Sequence, residues 1–334
     1  MSVSAQRIVP KAPRILLLTF DAFDTLFHPR IPVPEQYVAT AHQFGLTHPA
    51  ITPDNLKTAF KEIFRAHAHR YPNYGRADVL RGRYGGPRQW WEEVIRGSFT
   101  RTMSGETGEI CPRQRGRPKK PKNQIELPAG MVEALLDRFA GSEGYALYDD
   151  VLPFFRRLRK LKAANKWTFN RIVVGVVSNS DDRVPAVLKS LGLTVGDMRA
   201  DQDRSSMELP GFEERSTKDD GAEAHDKDYA DHNLEVDIDM VITSYEAGEA
   251  KPHRLIFDVA RRQALKISHP WLTPSTKFMS AHVGDSFDED CKGAMNAGWD
   301  TYIIRGPSTP ADIDADVEEL RSLLSLADIL EKFP

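Results

Sequence analysis

The chain predicts an α/β fold built on a doubly wound parallel sheet, and three observations carry that expectation. Short apolar runs, too brief for helices, recur along the sequence, and the clearest end at a polar residue. Segments with apolar residues at three-to-four spacing, mixed with Lys, Arg and Glu, separate them. The 334 residues are 40% apolar, with 45 basic against 48 acidic side chains and a formal net charge of −3, an ordinary globular composition with chain enough for one large core or two modest ones.

The first strand falls at 15–20 (ILLLTF) and the next at 172–177 (IVVGVV), with weaker ones at 239–243, 278–283 and 301–304. Helices are expected over 151–161, 182–191, 252–264, 288–296 and 317–326, an alternation that implies parallel strands. Between 28 and 146 the pattern changes. Segments 34–44, 53–69, 88–103 and 131–140 read as helices with no convincing strand among them, so a helical unit is inserted and the core is split into 1–27 and 147–334.

Two charged segments stand apart. RQRGRPKKPK carries Arg113, Arg115, Arg117, Lys119, Lys120 and Lys122 with no acidic residue, inside a stretch at 104–126. Residues 201–235 hold twelve acidic and four basic side chains. Neither can bury enough surface to offset the entropy of ordering, so both are expected to be mobile insertions, the first in the helical unit and the second in the core. The two cysteines, Cys111 and Cys291, lack metal-ligand or CxxC spacing, which excludes a disulfide scaffold, a zinc finger and a thioredoxin-type site. No apolar run approaches the roughly 18 residues of a membrane span, and residues 1–13 lack a secretory signal's apolar stretch. A soluble chain of the cytoplasm or nucleus, with no membrane partner, is the expectation. Near-balanced charge argues against a surface wholly devoted to nucleic acid.

In an open parallel sheet, ligands bind at the carboxyl ends of the strands. Reading past each strand gives Asp21, Ser178, Lys251 and Asp285. Two carboxylates on one rim repel unless a cation lies between them, and Mg²⁺, a hard ion that prefers oxygen ligands, suits the arrangement.

FDAFDTLF (20–27), VVSNS (176–180), EAKP (249–252) followed by Ile256 and Phe257, and HVGDSFDED (282–290) resemble the four ordered motifs of the haloacid dehalogenase (HAD) superfamily. YPNYG (71–75) and RQWW (88–91) are similar to the haloacid dehalogenase-like hydrolase domain-containing protein 3 subfamily. The resemblance implies a Rossmann-like core with an inserted helical cap of the C1 type at 28–146. It implies that Asp21 is the nucleophile that forms an aspartyl intermediate, and that Ser178 and the backbone N–H of Asn179 hold a phosphoryl oxygen. Lys251 would neutralise charge, and Thr25 would brace the first loop beside the phosphate. Mg²⁺ would be held by Asp21, the Phe23 backbone carbonyl and Asp285, with Asp290 orienting the shell around it. The implied substrate is a small phosphorylated metabolite.

One position departs from the family pattern. Superfamily phosphatases usually place a second aspartate two residues after the nucleophile as acid and base; here Phe23 stands there. Its loss forfeits about 10²–10⁴ in rate, and the adjacent Asp24 is expected to point elsewhere. An aromatic at this position resembles the 2-haloacid dehalogenases, whose halide leaves without a proton, whereas the fourth motif is phosphatase-like. Weak or specialised Mg²⁺-dependent phosphoester hydrolysis is therefore the expectation. Dehalogenase-like chemistry, or a non-catalytic module that binds a phospho-ligand or protein, are the alternatives.

His28 is expected on a solvated loop, with a catalytic place facing the cleft as the alternative, and Tyr37, Trp90 and Trp91 in the core of the helical unit, with a substrate-lining role as theirs. YPNYG predicts a turn that packs beside a hinge or meets the cleft. Arg76 and Arg88 are candidate anion binders. RGRP, from Arg115 to Pro118, resembles the core of an AT-hook, implying weak contact with A·T-rich DNA, and the basic cluster also suits a nuclear import signal.

Overall fold

The computed structural model of the chain describes residues 13–105, 126–163, 168–200, 209, 211, 236–304 and 317–332. β1 (Arg14–Phe20) is buried from Ile15 onward. Its alternation divides the core, because Leu16, Leu18 and Phe20 face one cluster and Leu17 the other. After β1 come β2 (Phe27–Pro29), then α1 (Val33–Gln43), α2 (Pro53–Arg70), α3 (Pro72–Val79), α4 (Pro87–Ser104) and α5 (Met131–Arg138), and then β3 (Tyr145–Leu147). β3 pairs antiparallel with β2, so the helical unit leaves and returns through one short ladder beside the end of β1.

The chain continues through α6 (Val151–Ala163), β4 (Arg171–Ser178), α7 (Val184–Ser190), β5 (Val195–Met198), β6 (Ile238–Thr243) and α8 (Ser244–Ala247). It ends with α9 (Arg254–Ser268), β7 (Lys277–Gly284), α10 (Lys292–Asn296), β8 (Asp300–Ile304), β9 (Glu318–Leu320) and α11 (Leu323–Lys332). The seven-stranded sheet has the order β5-β6-β4-β1-β7-β8-β9 and is parallel throughout, as expected. The chain builds outward from β1 through β4 to β6, then crosses to β7 on the other side of β1. That reversal opens a crevice at the carboxyl ends of β1, β4 and β7.

Both faces are covered. Phe154, Phe155 and Leu158 of α6 and Leu323, Leu326 and Leu330 of α11 pack on one side, where Phe20 meets the two phenylalanines edge-on at 5.5 and 5.9 Å. Ile256, Phe257 and Ala260 of α9 pack on the other against Leu17, Val173 and Ile242. Each fully buried large apolar side chain contributes about 1.5–3 kcal/mol.

The structure corrects the sequence reading in three places. The helix expected over 317–326 begins only at Leu323, because residues 318–320 form the edge strand β9 against β8. The edge strand β5 (VGDM) and the β2–β3 ladder were not anticipated, since three- or four-residue strands of mixed polarity carry no apolar run. The boundaries set at 27/28 and 146/147 fall inside that ladder. The basic peptide with Arg113 to Lys122, Cys111, and all of 201–235 except residues 209 and 211 lie outside the described residues. Among those described, no helix is long and apolar enough to cross a membrane.

Candidate active site

Asp21 follows β1 directly, and its backbone N–H prolongs the ladder to the Val283 carbonyl at 2.8 Å. The next residues turn at once, with Leu26 N–H donating to Ala22 O at 2.9 Å and Asp24 N–H to Phe27 O at 2.8 Å. Asp21, Lys251, Asp285 and Asp290 converge there, all buried. One oxygen from each of the three carboxylates lies within 4.8 Å of the others, a grouping able to hold a metal ion. The Lys251 ammonium spends its three protons on Asp21 Oδ1 at 2.6 Å, Asp290 Oδ1 at 2.6 Å and Val177 O at 3.0 Å. Burial disfavours its charge, but the two carboxylates more than offset this and raise its pKa.

Asp290 is held from every side. Lys251 and His282 Nε2, at 3.1 Å, meet Oδ1, while the Ser286 N–H donates to Oδ2 at 3.0 Å. Gly284 makes room for it, since a Cβ there would overlap the Asp290 carboxylate. Burial pushes Asp290 up, but Lys251 and His282 overcome this and hold it well below the usual carboxylate range. His282 is shifted down, chiefly by burial. Its Nε2 meets Asp290 Oδ1, and its Nδ1 lies 2.8 Å from Thr19 Oγ1, whose hydroxyl is also within reach of the Ala281 carbonyl at 3.2 Å. Burial and the carboxylates of Asp21, Asp290 and Asp24 push Asp285 up to about 7.

Ser178 ends β4 and is 1% exposed. Among the described residues its hydroxyl and the Asn179 backbone N–H make no hydrogen bond. The Asn179 side chain is committed instead to Lys251, accepting from its N–H at 2.6 Å and donating to its carbonyl at 3.0 Å, with a further bond to Glu289 Oε2 at 3.0 Å. Thr25 is buried beside the nucleophile loop, but its hydroxyl has no partner among the described residues, so it does not brace the loop by a hydrogen bond.

Phe23 packs against Phe27 at 4.7 Å and Tyr145 at 5.5 Å, away from any polar role. Asp24, at φ 56°, is raised by burial and bonded by Tyr148, and its carboxylate lies near enough to Asp285 to push that group up. His28 is half-buried against Tyr148 at 4.7 Å rather than solvated. Tyr37 and Trp90 lie in the core of the helical unit as expected. Trp91 does more, because its indole N–H reaches Asp181 Oδ2 in the loop after β4 at 2.7 Å. Arg88 pairs with Glu92 at 3.4 Å on the surface of α4, whereas the Arg76 guanidinium lies beside Gly248.

The YPNYG turn is left-handed at three successive residues, with Asn73, Tyr74 and Gly75 at φ 48°, 59° and 74°. Such a conformation costs about 1–2 kcal/mol at each non-glycine residue. Sequence reasoning passed over His282, Thr19, Glu289 and the Asp181–Arg183 pair. His282 and Glu289 sat inside a quoted motif, and an Asp two residues before an Arg after a strand was the available signal for the pair.

No family model matches the chain. The haloacid dehalogenase-like hydrolase domain-containing protein 3 of Homo sapiens is 26% identical over 320 residues, which are 95% of this chain and 93% of that protein. The protein of the same name in Xenopus laevis is 25% identical over 316 residues, 95% and 94% of the two chains. An uncharacterized protein of Saccharomyces cerevisiae is 26% identical over 306 residues, 90% and 76% of the two. Among solved structures, the 2-haloacid dehalogenase of Pseudomonas syringae pv. tomato is 17% identical, covering 96% of this chain and all of its own, with a TM-score of 0.46. A score so low carries no argument about the reaction. By sequence, over nearly its whole length, the chain resembles the haloacid dehalogenase-like hydrolases, the domain-containing protein 3 group among them.

Proposed function

We propose that the chain is a Mg²⁺-dependent phosphoester hydrolase acting on a small phosphorylated metabolite through an aspartyl-phosphate on Asp21. The observation that carries this reading is the crowding of three buried carboxylates, with one oxygen of each within 4.8 Å of the others and Lys251 bonded to two of them. A buried excess of negative charge calls for a cation. Asp21, Asp285 and the Phe23 carbonyl, which accepts no hydrogen bond among the described residues, are the oxygens that would hold it, while Asp290 is occupied by Lys251 and His282. Bound there, Mg²⁺ would supply neutralising charge to the phosphoryl group.

Lys251 engages Oδ1 of Asp21, which leaves Oδ2 to attack phosphorus as the bond to the leaving oxygen breaks. The unpartnered Ser178 hydroxyl and Asn179 N–H are the donors for the phosphoryl oxygens. Water then attacks phosphorus, releasing phosphate and the Asp21 carboxylate. Phe23 can neither protonate the leaving oxygen nor activate that water, so solvent must do both and the rate falls by about 10²–10⁴. The helical unit is the cap that excludes bulk water from the crevice.

A panel of phosphate esters with Mg²⁺, wild type against Asp21→Asn, tests the reading. Turnover by the wild type alone is expected. No turnover above the variant on any ester would replace it with a binding role, and halide release from 2-haloacids in chelator would replace it with dehalogenation.

A further inference from the structure

Asn73 reaches from the helical unit to the core. Its Nδ2 donates one proton to Ser244 O at the start of α8 at 2.8 Å and one to Gly248 O just past its end at 3.2 Å. α8 is a single turn that opens the segment leading to Lys251. Its first residues are tied to the loop after β4, with Ser244 Oγ and the Tyr245 N–H both donating to Ser180 O at 3.2 Å. The far end is tied by the Asn179 amide to both backbone groups of Lys251. Between those anchors, the side chain that grips the Gly248 carbonyl comes from the helical unit.

The left-handed turn is what aims that side chain. Tyr74 is held edge-on to Trp90 at 5.3 Å and perpendicular to Tyr245 at 6.2 Å. Gly75 lies under Tyr84, where a Cβ would come within 2.5 Å of the ring. Arg76 covers Gly248, its guanidinium 3.4 Å from the position of a Cβ. A tyrosine kept at positive φ between the Trp90 and Tyr245 rings marks a conformation the surroundings enforce, and the consequence here is an amide pointed at two carbonyls.

We propose that Asn73 is a positioning residue for Lys251: by gripping α8 and Gly248, the 71–76 turn couples seating of the helical unit to the placement of the ammonium on Asp21. The mechanical coupling stands on the contacts alone, whereas its meaning for turnover rests on the phosphoryl-transfer reading.

Hydrogen–deuterium exchange on the full chain tests it with Asn73→Asp and Asn73→Gly. Both replacements tolerate left-handed backbone, so they remove the donors without altering the turn. Exchange of amides in 244–251 should rise about tenfold or more in both variants, with 171–178 unchanged. On any ester that the wild type turns over, kcat should fall more than KM rises. Unchanged exchange over 244–251 overturns the proposal, and so does an equal rise over 171–178, which would make Asn73 a support of the whole fold. Absence of turnover leaves the exchange result standing and bears only on the reaction.

Discussion

Two buried charge clusters flank the end of β4, equally dry and differently composed. On one side Asp181 and Arg183 form a closed pair. Arg183 Nε and Nη2 each meet a separate Asp181 oxygen at 2.9 Å, and the Trp91 indole adds a third donor at 2.7 Å. Within the pair one positive charge answers one negative charge, and the guanidinium lies 5.0 Å from the Trp91 ring. On the other side Lys251 faces Asp21 and Asp290, with Asp285 beside them. The first cluster is complete as folded, as a structural ion pair must be. The second is incomplete, and that difference in stoichiometry, rather than burial, separates a site from its support.

The largest test of the distinction is Asp21→Asn. Removing the attacking carboxylate should lower turnover by about 10⁴-fold or more. Because it also removes one of three crowded charges, unfolding in urea should show a midpoint equal to or above that of the wild type. A marked loss of stability would mean that the carboxylates are balanced after all.

Asp181→Asn should do the reverse. It strands a buried guanidinium, and the expected loss is about 3–5 kcal/mol in urea unfolding. Replacing both partners with apolar residues, as in Asp181→Leu with Arg183→Met, should recover most of it. A small loss in the single variant would place Asp181 among the functional carboxylates instead.

Phe23→Asp joins the two regions, since Phe23 lies beside the nucleophile and packs on Tyr145, which lies near enough to Arg183 and Asp181 to feel their charges. The phosphatase rate should rise about 10²-fold or more, read as kcat on the best ester of the panel. Stability should fall, because ring contacts with Phe27 and Tyr145, about 0.5–1.5 kcal/mol each beyond their buried area, are lost. No gain in rate would show that divergence extends past this residue.

The balanced cluster was less legible in the sequence than the unbalanced one, for a physical reason. Asp21, Ser178, Lys251 and Asp285 each end a buried strand, follow it or follow a short segment beyond it, and the parallel topology brings all such ends to one rim. The central strands were legible because burial on both faces demands continuous apolar runs, such as IVVGVV. Asp181 and Arg183 pair locally, two residues apart after a strand, but Trp91 meets them only once α4 lies against the loop after β4, and no local pattern announces that the pair is buried there. β5 and β9 were missed likewise, since their pairing with a neighbour defines them more than their residues do.

The smallest expected effect separates the clusters by the sign of their pH dependence. In metal-free protein the Asp285 carboxyl sits at about 7, above the roughly 3.9 of an unfolded aspartate. The folded state then binds that proton more tightly than the unfolded one, so stability falls as pH rises from about 4 to about 7. Asp21 is raised too, chiefly by burial, and pulls the same way. Burial also pushes Asp181 up, but Arg183 and its hydrogen bonds bring it below its ordinary value. The stability Asp181 supplies is therefore full above about pH 4 and lost only as pH falls further. Mg²⁺ should compensate the excess charge, adding about 1.4 kcal/mol at ten times its Kd and flattening the decline toward pH 7. Asp285→Asn should show a shallower decline in chelator and little gain with Mg²⁺. Urea midpoints between pH 4 and 8, with chelator and with Mg²⁺, read both effects. An equal gain with Mg²⁺ in Asp285→Asn would move the cation to other ligands, and a flat wild-type curve in chelator would remove the imbalance on which the distinction rests.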